Sequence, residues 1–233
     1  MKRIGLIGGL GPEATVDYYK EITGAFKGIG NGLVSPEILI YSVNMSEFLE
    51  MMNKKEYDNA VDYLLQKINA LVTAGADFVA LTANTPHLFF NRLKERTGIP
   101  LLSIVEATCR EALSKGLKRP GLFGTGFTMN NSFYPDTFSR FGMEIIMPEH
   151  EDKEIINHKL FSEIELGIFK DNTRDLLVEI IAKMVKEKGI DSIILGCTEF
   201  PLILTEPGYA GIPVLDTTRI HVKEIVTWCL KAS

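Results

Sequence analysis

Short uninterrupted apolar runs and longer amphipathic stretches take turns along this chain. The apolar runs occupy residues 4–8, 38–43, 78–81, 121–124 and 192–195. Each is the length of a strand buried on both faces. Between them, apolar residues recur with helical spacing, most clearly over 57–72 and 176–188. Strands that alternate with helices predict βαβ units and parallel sheets, an α/β fold. No Pro/Gly-rich linker or low-complexity stretch breaks the pattern.

The pattern repeats. "GLIGGLG" starts at Gly5 and "GLFGTGF" at Gly121, 116 residues on. "GADFVAL" at Gly75 returns as "GIDSIIL" at Gly189, after 114 residues. "GIPLL" at Gly98 returns as "GIPVL" at Gly211, after 113 residues. Three landmarks in one order and nearly one spacing predict two similar Rossmann-like α/β units, each with a glycine loop after its first strand. The second "GIP" strand comes late in the chain, so the last strand and helix are expected to return to the first domain. The expected domains are residues 1–98 with 209–233, and residues 99–208. Ligands of open parallel sheets bind beyond the carboxyl ends of the strands. The active site is therefore expected in a cleft between the two domains, with Thr82 and Cys197 on opposite sides of a ligand.

Charge and cysteine content narrow the function classes. A formal net charge of −5 argues against nonspecific nucleic-acid binding. No apolar run is long enough to span a bilayer, so no membrane partner is expected. The first residues, "MKRIGLIGGLGPEAT", superficially resemble a signal peptide, but glycines interrupt the apolar run and no A-x-A-type cleavage site follows. Three widely spaced cysteines, Cys109, Cys197 and Cys229, form neither a disulfide framework nor a metal-ligand pattern and fit a reducing cytoplasm.

The glycine loop "GGLGPEAT" contains G-x-G-x-x-A at Gly9, Gly11 and Ala14. That spacing can mark a dinucleotide site. Here Glu13 would bring negative charge to a pyrophosphate, and "ILIYSVNM" ends without an acidic residue for a ribose. A turn whose backbone N–H groups approach a carboxylate fits better, with Gly9 and Leu10 at the ligand and Pro12 in the first helical turn. Asn84 and Thr85 begin the helix after the strand at 78–81, and Thr198 holds the same place in the second half. Thr125 and Thr128 flank the second glycine loop. All five have residue types that cap helices, and at a strand mouth they can also face a carboxylate. A helix starting near Thr198 would lower the thiol pKa of Cys197. Glu199 is a candidate acid–base partner for that thiol.

"GLIGGLGPEAT", "TANTPH", "GTGFTM", "LGCTEFP" and "PVLDTTRIH", in this order, resemble the aspartate/glutamate racemase family over nearly the whole chain. The resemblance implies two similar domains related by pseudo-two-fold symmetry, with the site between them. It also implies no cofactor, a small amino-acid or dicarboxylate substrate, and a homodimer, the assembly common in the family. Members use two cysteines, one per domain, at the positions of Thr82 and Cys197: one thiolate removes the α-proton and the other thiol reprotonates the opposite face. Cys197 and Thr82 are therefore the implied catalytic pair. Gly9, Leu10, Asn84, Thr85, Thr125, Thr128, Thr198 and Glu199 are the implied binding set.

The chain departs from that pattern twice. Thr82 replaces the first cysteine, and a hydroxyl cannot serve as an effective base. Acidic-substrate members also offer a basic side chain to the distal carboxylate. Here the corresponding stretches supply Lys54, Lys55 and Lys170 as candidates, while Asn44, Met52 and Leu166 fall at or near the contact positions. The rival readings are a single-cysteine malonate decarboxylase, a hydantoin racemase, a maleate isomerase, or a binding protein that has lost catalysis.

Overall fold

In the computed structural model of the protein, which describes residues 1–29 and 33–231, the chain divides into two compact units. One comprises Met1–Ile104 with His221–Ser233, the other Val105–Ile220.

In the first unit, β1 (Ile4–Gly8) is followed by α1 (Pro12–Ala25), β2 (Ile38–Ser42), α2 (Met45–Asn53), α3 (Tyr57–Thr73), β3 (Phe78–Leu81), α4 (Phe90–Arg96) and β4 (Leu101–Leu102). The sheet order is β2-β1-β3-β4, and all pairs are parallel. β1 and β3 are buried along their whole length, which is why they read as unbroken apolar runs. Ile7 pairs with Leu81 and Gly8 with Ser42, so these strands end level, with Gly9, Val43 and Thr82 next in the chain at one edge. α3 buries Ala60, Val61, Leu64, Leu65, Ile68 and Leu71, the stripe that its sequence period required.

In the second unit, α5 (Ile104–Ser114), whose first residue closes the first unit, precedes β5 (Pro120–Gly124). Next come α6 (Gly126–Met129), α7 (Phe133–Ser139), α8 (His150–Ser162), α9 (Asp171–Lys188), β6 (Ser192–Gly196), β7 (Gly208–Tyr209) and β8 (Ile212–Asp216). The order is β5-β6-β8-β7, parallel except for the antiparallel β7–β8 pair. Ile146 bridges Gly121 in parallel, standing beside β5 as β2 stands beside β1. The repeat thus becomes two sheets with the same central order. α9 starts five residues before its periodic stretch and ends at Gly189, in a left-handed conformation (φ 63°) suited to glycine.

One expectation is corrected. β8 pairs with β6 and stays in the second sheet. Only the last helix, α10 (Thr217–Leu230), leaves that unit, and it crosses at His221. It places Val222, Ile225 and Cys229 in the first unit's core with Ile4, Tyr18, Phe26 and Phe78. The unit boundaries accordingly fall at 104/105 and 220/221 rather than at 98/99 and 208/209. Among the described residues, no helix is long and apolar enough to cross a membrane.

Candidate active site

β6 ends where a thiol begins the next loop. A Cβ on Gly196 would sit 2.6 Å from the Phe123 carbonyl oxygen, so only glycine lets this strand end lie against β5. The chain then turns through Cys197, Thr198 and Glu199 into a short 3₁₀ turn, Phe200–Leu202, with Pro201 near its start. Cys197 is only 6 % exposed and Glu199 only 2 %. The Cys197 thiol donates to Glu199 Oε2 at 2.9 Å, and the Thr198 hydroxyl donates to the same oxygen at 3.1 Å.

A third group arrives from 32 positions away. Glu165 lies in the 3₁₀ turn Ile164–Leu166, and its Oε1 is 3.6 Å from the Cys197 sulfur. The turn is anchored one residue earlier. Glu163 accepts from Lys159 at 2.7 Å, from Lys170 at 3.2 Å and from the Thr173 hydroxyl. Those bonds, Lys159 and Thr173 foremost, hold the Glu163 carboxyl down at about 2. The sulfur and one carboxylate oxygen from each of Glu165 and Glu199 lie within 4.8 Å of one another. Donor atoms that converge this closely can grip a cation of any kind, a substrate ammonium included.

The cluster overturns the expectation of an activated thiolate. Burial, followed by the negative charges of Glu199 and Glu165, pushes the Cys197 thiol well above its ordinary value. The segment after it is a three-residue 3₁₀ turn, too short to supply an opposing helix dipole. The resting group is a neutral thiol held by a carboxylate. Burial first, and Glu199 second, lifts Glu165 to about 7, partly offset by its contact with the thiol.

The other expected residues of the second unit gather at the neighbouring strand end. Gly124 pairs with Gly196. Thr125 caps α6 by accepting the Thr128 N–H at 3.1 Å, and the two hydroxyls lie 3.2 Å apart. Thr128 packs against this strand end, its Cγ2 3.6 Å from where a Gly196 Cβ would stand. The Gly126 N–H is already taken by Asn157 Oδ1 at 2.6 Å. A separate recess of about 470 Å³, with Leu195, Pro201 and Arg219 in its walls, contains none of the expected site residues.

Gly9, Leu10, Thr82, Asn84 and Thr85 lie in the first unit. Gly9 has φ 83°, and a Cβ there would stand 2.3 Å from the Val43 carbonyl oxygen, so the turn demands glycine. Its N–H donates to the Thr15 hydroxyl at 2.9 Å rather than reaching outward for an anion, a correction to the expected role of the loop. Leu10 sits partly exposed beside it. Thr82 is 1 % exposed, and its hydroxyl and N–H both donate to the Ile7 carbonyl, at 3.1 and 3.0 Å. Asn84, buried, precedes the 3₁₀ turn Thr85–Phe89 and supplies no side-chain cap to it. His87 donates from Nδ1 to the Ala83 carbonyl at 2.9 Å and accepts the Ile104 N–H at Nε2, 3.1 Å away. With both nitrogens engaged and burial holding it near 4, it is a structural, neutral histidine.

Glu165 escaped the sequence reading, which scanned that stretch for lysines. No local spacing links it to Cys197. Two of the three candidate lysines are occupied: Lys54 pairs with Glu50 at 2.6 Å and Lys170 with Glu163.

Residues 7–225 match the family model described as Asp/Glu/Hydantoin racemase. The chain is 24 % identical to the broad-specificity amino-acid racemase RacX of Bacillus subtilis, over 96 % of each chain. It is 28 % identical to the glutamate racemase of Aquifex aeolicus, over 72 % of this chain and 65 % of that protein. Among solved structures, an aspartate racemase homologue from Pyrococcus horikoshii is 35 % identical, with a TM-score of 0.86 over 99 % of this chain and all of that one.

Proposed function

The chain belongs to the Asp/Glu/hydantoin racemase family, whose named relatives are isomerases, and from that premise we propose an amino-acid racemase that moves the α-proton without a cofactor, with Cys197 as its thiol acid and base. One observation carries the assignment: a buried thiol donating at 2.9 Å to a buried carboxylate, Glu199. Glu199 accepts the thiol proton. The thiolate then removes the α-proton, and the same thiol can return one. The raised thiol pKa makes the thiolate a strong base once formed. A substrate ammonium beside Glu199 adds the positive charge that lowers the cost of forming it.

Thr82, at the corresponding strand end of the first unit, is the second proton-handling position in this reading. Its proton is committed to the Ile7 carbonyl, so it acts by accepting a hydrogen bond or holding a water rather than as a base. Asn84, Thr85, Thr125 and Thr128 are the proposed polar contacts for the α-carboxylate, with Gly9 and Leu10 shaping the turn beside the first pair. Aspartate and glutamate, named in the family description, are the first substrates to assay. The wider range in the name of the B. subtilis relative falls within the same chemistry. Three free cysteines suit the reducing cytoplasm proposed as the location. A homodimer is the proposed assembly, to be checked by sedimentation.

The test is solvent exchange. In heavy water the protein should place deuterium at the α-carbon of an amino-acid substrate. Cys197→Ser should lower that rate by about 10²–10⁴-fold, because a serine hydroxyl offers no accessible anion. Exchange by the serine variant at the parent's rate would sink the assignment. Decarboxylation of an arylmalonate without any amino-acid exchange would favour the single-thiol lyase instead.

A further inference from the structure

The surroundings of Cys197 bear on which amino acid it serves, granted the racemase reading above. A thiolate that takes an α-proton stands about 3–3.5 Å from the reacting atoms. Glu165 Oε1 is 3.6 Å from that sulfur. Its carboxyl therefore lies within about 7 Å of the substrate α-carbon, inside the reach of an ordinary side chain. Unlike Glu199, Glu165 is partly exposed. Among the described residues, no lysine, arginine or histidine pairs with it, and the Cys197 thiol is the hydrogen-bond partner of its carboxyl. The nearest lysines in sequence, Lys159 and Lys170, are both held by Glu163. A substrate with a second carboxylate would bring a third negative charge beside the two carboxyls that flank Cys197.

We propose that Glu165 selects the substrate's side chain, disfavouring an acidic one and favouring a basic one of the lysine, ornithine or arginine type. A long basic side chain would place its cation against the partly exposed carboxyl, a charge-assisted contact. Glu165 is then a specificity-determining residue, while proton transfer stays with Cys197 and Glu199.

The experiment measures α-deuterium exchange for lysine, arginine, glutamate and aspartate, alongside calorimetric Kd values for L-lysine and L-glutamate. The full chain, Glu165→Gln and Glu165→Lys are compared. The parent should prefer lysine to glutamate by about tenfold or more in kcat/KM and in Kd. Glu165→Gln should close most of that gap through KM, lysine weakening while glutamate improves. Glu165→Lys should reverse it. If Glu165→Gln slows or weakens every amino acid alike, the carboxyl holds the α-ammonium instead and the proposal fails. It fails equally if the parent prefers glutamate, or binds neither amino acid. A lysine preference in Kd that Glu165→Gln removes, without exchange in any variant, would sustain the side-chain assignment and overturn the racemase reading.

Discussion

Cys197 and Thr82 set the limits of the chemistry at the scale of single residues. Burial comes first among the causes that keep Cys197 a thiol, and the Glu199 charge comes second. Glu199→Gln should therefore have two opposite effects. The thiol pKa falls, so iodoacetamide alkylates Cys197 several-fold faster at pH 8, on the order of 3–10-fold. Yet α-deuterium exchange drops by about 10²-fold or more, because the proton acceptor is gone. Losing or gaining both together would mean that Glu199 only fills space. Thr82 gives a second expectation. With a single thiol, a proton can leave and return on the same face, so exchange should outrun inversion. Thr82→Cys should narrow that gap by supplying a second acid–base group. Inversion as fast as exchange in the unaltered protein, followed by chiral chromatography in heavy water, would contradict this and require another base.

Legibility varied at the scale of elements. Buried parallel strands are uninterrupted apolar runs, so β1, β3, β5 and β6 stand within one residue of where the pattern puts them. The stretch after Cys197 was misread because its apolar residues suggest a helix, whereas Pro201 and Pro207 confine it to a 3₁₀ turn. β8 was misplaced because order along the chain does not reveal hydrogen-bonding partners. The Glu165 turn was invisible for a similar reason: its neighbour Cys197 is brought to it by packing alone. That turn has a testable anchor. The Glu163 carboxyl is depressed in the folded protein, from 4.5 to about 2. The stabilisation from this shift is present above pH 4.5 and is lost as pH falls toward 2. Glu163→Gln should lower the thermal midpoint at pH 7, and the difference from the parent should close as pH is taken down. Exchange of lysine, though not of glutamate, should fall with it, since the turn positions Glu165. Equal midpoints at pH 7 would show that the clamp contributes nothing.

On the scale of the whole molecule, the internal repeat made two α/β units legible, but not which unit receives the last helix. That is decided by side chains far apart in sequence. The Tyr18 hydroxyl donates to His221 Nδ1 at 2.9 Å, and His221 Nε2 donates to the Leu102 carbonyl at 3.2 Å. Lys2 and Cys229 exchange two bonds, N–H to carbonyl at 2.9 Å and thiol to carbonyl at 3.1 Å. The first unit is therefore closed by α10 bonded to the segment before β1, and its core depends on residues that the continuous second unit does not use. Ile225, wholly buried in that core, is the sharpest probe. Ile225→Ala should cost about 2–5 kcal/mol through lost transfer energy and a residual cavity. The loss should be local. Amide hydrogen exchange followed by mass spectrometry should show reduced protection in β1, β3 and β4, with β5 and β6 unchanged. Uniform loss in both sheets would mean that the two units unfold as one, and the division at His221 would then be geometric rather than energetic.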